Sequence, residues 1–182
     1  KKMSLIVYAA RFANKWHEGV TRKYTGRPYI THPARVAGRV SYHPDMCEEN
    51  VAAAWLHDVL EDCDVSESKM RMLFGDSVTN LVVELTNPSK GSTASRTERK
   101  RMDLAHISTI SKTGKIIKMI DRIDNLNEIP LDNETSFKFL RDVYFVESVN
   151  LYKVVHGADS KLASEYYELL CNLQGKILGE YK

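Results

Sequence analysis

Residues 48–60 read EENVAAAWLHDVL, and this run decides the fold. Its consecutive alanines favour helix, and Val51, Ala54, Trp55 and Val59 supply apolar contacts at helical spacing. A helix so poor in charge through its middle belongs inside a helical domain. Its end is less ordinary: His57-Asp58 lies within the run, and Glu61-Asp62 follows one turn later. Ionisable groups on a buried helix need partners or a metal ion.

Working outward toward the N-terminus, residues 33–40 form a short helix, with Pro33 tolerated in its first turn and His32 at its mouth. Residues 18–33 carry Gly19, Gly26, Pro28 and Pro33 and cannot be one continuous helix, so they form a polar loop. Before it, Leu5, Tyr8, Ala9, Phe12, Ala13 and Trp16 repeat at helical spacing and predict a first helix over 4–16.

In the other direction, Asp64 with Glu67 reads as a capping box for a helix that Gly75 ends. A further helix follows over 76–85, then a loop over 87–93. Ser95 with Glu98 caps the next helix, and Gly114 separates it from one running to about Asn127. Long amphipathic segments over 136–156 and 160–181 finish the chain. No repeat and no regular strand pattern is present, so the expected architecture is all-α, one helical bundle domain over 1–182.

Composition narrows the function classes. With 26 Lys and Arg against 24 Asp and Glu, the net charge of +2 gives no field suited to wrapping nucleic acid, though a basic pocket for one small polyanion is compatible. Cys47, Cys63 and Cys171 are odd in number and lack metal-site spacing, which suits free thiols in a reducing cytoplasm. No run approaches the roughly 20 apolar residues of a membrane span, and Lys1-Lys2 leads into an amphipathic segment rather than a signal peptide.

The chemistry-bearing residues are His32, His57-Asp58, Glu61-Asp62, and Asp121 with Asn125. On an unbroken helix His57 and Glu61 share a face, while Asp58 is turned about 100° from His57; adjacent His and Asp can still straddle one cation. Mixed imidazole and carboxylate donors suit Mn²⁺, Fe²⁺ or Zn²⁺ better than Ca²⁺ or Mg²⁺, and spacing alone does not choose among the three. His17, His43, His106 and His156 lack partner motifs and read as surface or capping histidines.

Taken in order, Arg22-Lys23, Pro28-Tyr29-Ile30-Thr31-His32-Pro33, His57-Asp58-Val59-Leu60-Glu61-Asp62, Asp121-Arg122 and Asn125 resemble the hydrolase domain of RelA/SpoT-type enzymes of the HD superfamily. The small stand-alone alarmone hydrolases are the most similar in length, and the likeness runs from the first helix to about Gly157. The resemblance implies His32, His57, Asp58 and Asp121 as ligands of one Mn²⁺, and Glu61 and Asp62 as the pair that handles the attacking water. It implies Arg22 against the nucleobase, Lys23 at a phosphate, Asn125 on the nucleotide and Tyr144 lining the substrate. The implied reaction removes the 3′-pyrophosphate of (p)ppGpp, giving GDP or GTP, with a guanine nucleotide and neither nucleic acid nor membrane as partner. A chain of 182 residues leaves no room for the synthetase domain of bifunctional relatives. Competing readings are the same fold acting on NADPH at its 2′-phosphate or on a nucleoside monophosphate, and a module that binds the alarmone without cutting it. The retained Glu61-Asp62 pair speaks against a mere binder. The chain departs from the family pattern by one extra residue between Lys23 and Pro28, and by Asn127-Glu128 where relatives commonly show Arg and Thr. Glu128 is expected to point to solvent.

Overall fold

The computed structural model describes residues 3–179. The C-terminal residue of the last predicted helix, Tyr181, and the Lys1-Lys2 start lie outside the described residues. The fold is all-α: among the described residues no strand forms, and an isolated antiparallel bridge joins Thr21 to Pro28. The chain divides into two compact units, 1–92 and 93–182.

The first unit is built around α3 (Glu48–Leu56), the alanine-rich part of the 48–60 run. Ala52, Ala53 and Ala54 are fully buried. Their small side chains let α1 (Leu5–Trp16), α2 (Thr31–Ser41) and α5 (Glu67–Leu85) all pack against α3. Burying each large apolar residue around it, such as Leu56, Met70 or Leu85, stabilises the unit by roughly 1.5–3 kcal/mol.

Three boundaries differ from expectation, each for a local reason. The helix of residues 48–60 does not run through: it stops at Leu56, turns at His57-Asp58, and resumes as α4 (Val59–Asp62). α2 starts two residues early, because the Tyr29 and Ile30 carbonyls already accept from the His32 and Ala34 amides. His32 therefore lies in the first turn of α2 rather than before it. α5 is capped by Ser66, whose hydroxyl accepts from the Lys69 amide at 3.2 Å, and not by Asp64. Gly75, at φ 78° and ψ 176°, kinks α5 where the sequence predicts one helix ending and another starting.

In the second unit, α6 (Arg96–Thr109) is capped by Ser95 as expected. The break after it is made by Ser111, whose hydroxyl accepts from the Gly114 amide, so Gly114 belongs to the first turn of α7 (Lys112–Glu128) rather than separating the helices. Ile116, Ile117, Met119, Ile120, Ile123 and Leu126 bury α7 on more than one side. α8 (Glu134–Phe139), capped by Asn133, passes through one π-helical turn, Leu140–Tyr144, into α9 (Phe145–Val155). The last helix, α10 (Ser160–Gly179), packs on α7 and α9 and buries Tyr166, whose hydroxyl donates to the Ser148 carbonyl at 2.8 Å.

Candidate metal and hydrolytic centre

The turn between α3 and α4 makes the centre. There His57 Nε2 lies 3.0 Å from Asp58 Oδ2. His32, from the first turn of α2, brings its Nε2 to 3.3 Å from His57 Nε2 and 3.8 Å from Asp58 Oδ2. Both imidazoles are buried, and the three donor atoms lie within 4.8 Å of one another.

The hydrogen bonding fits this set for a cation. His57 Nδ1 sits 2.7 Å from the Ala54 carbonyl, which can only accept, so Nδ1 carries a proton and Nε2 of the neutral ring presents its lone pair to the cluster. Facing electron-rich atoms this close repel unless a proton or a cation lies among them. Two imidazoles and a carboxylate are a donor set for a divalent transition metal, and a ligating histidine with its other nitrogen on a backbone carbonyl is the usual arrangement around one. Burial opposes the charge of Asp58, but the His57 and His32 rings beside it and the hydrogen bond from Tyr29 outweigh it and hold the carboxyl well below its usual range.

The acidic pair separates. Both Glu61 oxygens accept from Asn87, at 3.0 and 3.1 Å from its side-chain nitrogen and, for Oε2, 3.1 Å from its amide. Asp62 keeps contact with solvent and lies 3.3 Å from the Tyr29 hydroxyl, which donates to Asp58 Oδ2 at 2.6 Å. Partial burial, with the negative charges of Asp58 and Glu61, pushes the Asp62 carboxyl up to about 6.

Arg22, in the loop before α2, stands 5.4 Å over the Tyr29 ring. The hairpin that carries it is closed by the Arg22 amide on the Arg27 carbonyl and turned by Gly26 at φ +65°. Lys23 is exposed, its Nζ 5.2 Å over the Tyr24 ring.

Asp121, Asn125 and Tyr144 belong to the second unit. Asn125 donates to Asp121 Oδ1 at 2.7 Å, and Lys118 Nζ lies 3.9 Å from Asp121 Oδ2. Tyr144 ends the π-turn, with the Arg122 guanidinium 4.4 Å from its ring centre and Phe139 stacked at 5.6 Å. Arg122 also donates to Ser148 Oγ, which donates to the Tyr144 carbonyl. The expectation that Glu128 points to solvent is corrected in part: its Oε1 is closed off from solvent.

Sequence reasoning missed His17. Far from a surface group, it is 3% exposed, its ring 4.7 Å from the Tyr29 ring and its Nδ1 3.7 Å from Cys63 Sγ. Its Nε2 is buried without a hydrogen-bond partner, an arrangement that costs about 1–3 kcal/mol. Burial holds the imidazole below its usual range; Asp58 opposes this, while His57 and His32 add to it. The signal was present: Ala9, Ala13 and His17 are spaced by four and continue one buried stripe of α1. His156, by contrast, does cap, its Nδ1 3.1 Å from the Tyr152 and Lys153 carbonyls. Burial and the neighbouring Asp62 and Asp58 carboxylates push the Cys63 thiol up to about 11, away from the thiolate a nucleophile needs.

An all-α fold with a buried His-His-Asp cluster at a helix break defines a class of metal-binding hydrolytic domain. The chain belongs to the HD domain family, which it matches over residues 9–144, from the first unit into the second. It is 32% identical over 162 residues to the Xenopus tropicalis protein named guanosine-3′,5′-bis(diphosphate) 3′-pyrophosphohydrolase MESH1, covering 87% of this chain and 89% of that one. It is 33% identical over 136 residues to a Mycoplasma pneumoniae protein named a probable guanosine-3′,5′-bis(diphosphate) 3′-pyrophosphohydrolase, of which it spans only 18%. Among solved structures, a metazoan ortholog of SpoT described as hydrolysing ppGpp is similar with a TM-score of 0.80 and 27% identity, over 94% of this chain and 97% of that one. No helix among the described residues is long and apolar enough to cross a membrane.

Proposed function

We propose that this chain is a cytoplasmic, Mn²⁺-dependent hydrolase that removes the 3′-pyrophosphate of guanosine 3′,5′-bis(diphosphate) and its pentaphosphate form. The observation that carries the reading is the His32, His57 and Asp58 cluster, with His57 Nδ1 tied to the Ala54 carbonyl so that its other nitrogen faces the two remaining donors. The names carried by the Xenopus and Mycoplasma relatives supply the substrate class.

His32, His57 and Asp58 would hold the metal; Asp121 is added as a ligand by resemblance alone. A divalent cation bound there makes water more acidic and polarises a phosphoryl oxygen. Asp62, open to solvent, takes the proton of the attacking water. Glu61, held on both oxygens by Asn87, keeps a fixed place beside it and orients the water. Arg22 packs on the base and Lys23 meets a phosphate, offsetting the charge of a substrate with two pyrophosphate groups. Asn125 and Tyr144 line the nucleotide.

The test is to incubate purified protein and Mn²⁺ with guanosine 3′,5′-bis(diphosphate), NADPH and nucleoside monophosphates, following pyrophosphate and phosphate release separately. Pyrophosphate from the guanosine compound alone is the expected result. Phosphate from NADPH or a monophosphate, without pyrophosphate release, would replace the proposed substrate. Binding without release of either would make the chain a sensor.

A further inference from the structure

The Tyr29 phenol has no part in the proposed hydrolysis, yet it touches both halves of the proposed centre. Its oxygen lies 2.6 Å from Asp58 Oδ2 and 3.3 Å from Asp62 Oδ2. One hydroxyl, its single proton directed at Asp58 and reaching Asp62 as the longer arm of a bifurcated bond, therefore ties a carboxylate of the metal cluster to the carboxylate assigned to the water. The two acids are also joined through the backbone of α4, where the Asp62 amide donates to the Asp58 carbonyl. That bond fixes the helical turn but leaves the side-chain rotamers of both acids undetermined.

The phenol is itself held. The His17 ring lies over it at 4.7 Å and 32°. His17 Nδ1 is 3.7 Å from the sulfur of Cys63, which directly follows Asp62 and whose thiol donates to the Trp16 carbonyl at 3.4 Å. The contacts close a circuit: the end of α1, the loop before α2, the end of α4, and back to α1. The Arg22 guanidinium stands 5.4 Å from the same Tyr29 ring. A buried histidine with an unpartnered nitrogen is a poor choice for stability alone, and departures from good packing chemistry concentrate where function requires them.

We propose that Tyr29 is a positioning residue whose hydroxyl clamps Asp58 to Asp62, and that the His17 ring backs the phenol and keeps it on both carboxylates. The clamp rests on the metal-hydrolase reading. A group that hydrogen-bonds a metal ligand typically governs about 10- to 100-fold in metal affinity or activity.

Tyr29→Phe keeps the ring against His17 and removes only the hydroxyl. In a substrate-free titration with Mn²⁺, followed by the electron paramagnetic resonance of the free ion, its affinity should fall about tenfold. At saturating Mn²⁺, kcat should still be down about tenfold with KM within about twofold, because the Asp62 half of the clamp is not restored by mass action. Melting temperature and helical circular dichroism should stay parental, which separates positioning from loss of fold. His17→Ala should reproduce the kcat loss without adding to it in the double variant, and His17→Phe, which restores a ring, should recover it.

Mn²⁺ affinity and kcat both within about twofold of parental in Tyr29→Phe would overturn the clamp. Recovery of full kcat by excess Mn²⁺ would also overturn it, since the hydroxyl would then serve Asp58 alone. Failure of His17→Phe to rescue would remove the ring-backing role. The Mn²⁺ titration needs no substrate, so the Asp58 half of the clamp is decided even if the parent releases no pyrophosphate; loss of Mn²⁺ binding by the parent itself would instead sink the metal-hydrolase reading.

Discussion

At His57-Asp58 a helix is broken, whereas at Leu140–Tyr144 a helix is widened and runs on. At the broken turn two neighbouring side chains, which a regular helix fans about 100° apart, converge on one point. The π-turn keeps its ladder of hydrogen bonds, now from residue i+5, and shifts the register of α9 after it. The first irregularity gathers donors; the second presents a single aromatic side chain, Tyr144, on a rigid support of Arg122, Phe139 and Ser148. Donors for a metal need closeness, and an aromatic proposed to line a nucleotide needs placement, so the two regions should fail differently when altered.

The largest effect is expected at the broken turn. Asp58→Ala leaves His32 and His57 facing each other without the carboxylate, and Mn²⁺ binding should become undetectable by titration, with turnover lost. Retained Mn²⁺ affinity would mean that the cluster is only a buried structural network. Next come the two acids beyond the turn. Asp62→Asn should lower kcat by roughly 10²-fold or more while leaving Mn²⁺ bound, as for loss of a positioned base. Glu61→Gln should cost less, since the amide oxygen can still accept from Asn87; steady-state kinetics on both variants gives the order, and the reverse order would exchange their roles. The smallest effect belongs to the π-turn. Arg122→Met removes the guanidinium from the Tyr144 ring and from Ser148, and should raise KM by a fewfold with kcat and Mn²⁺ affinity unchanged. A drop in kcat equal to that of Asp62→Asn would show that the second region also gathers catalytic groups.

These regions also differ in how legible they were. The Glu48–Leu56 helix, the cap at Ser95 and the ordered set from Arg22 to Asn125 could be read directly, because periodicity, capping chemistry and a distinctive string of residues each leave a mark in sequence. The break after Leu56 left none: the alanines before it and Leu60 after it favour helix, and neither glycine nor proline marks the turn. The π-turn was equally silent, since one inserted register step in an apolar helix changes no residue type. Asp64 was preferred to Ser66 as a cap because a capping box was sought; a hydroxyl two residues later made the bond instead. His17 was misread by judging histidines for partner motifs rather than for their place on the Ala9, Ala13, His17 stripe.

The Asn87 contacts to Glu61 carry a consequence for the loop that follows α5. The Asn87 amide and side chain hold Glu61, and Lys90 Nζ donates to the Leu60 carbonyl at 2.5 Å, so the first residues of this loop are stitched to α4. Past Lys90 the chain turns at Gly91, at φ +74°. The loop should therefore tolerate no change of length ahead of Lys90: one residue added between Leu85 and Asn87 would carry Asn87 out of register with the carboxylate of Glu61.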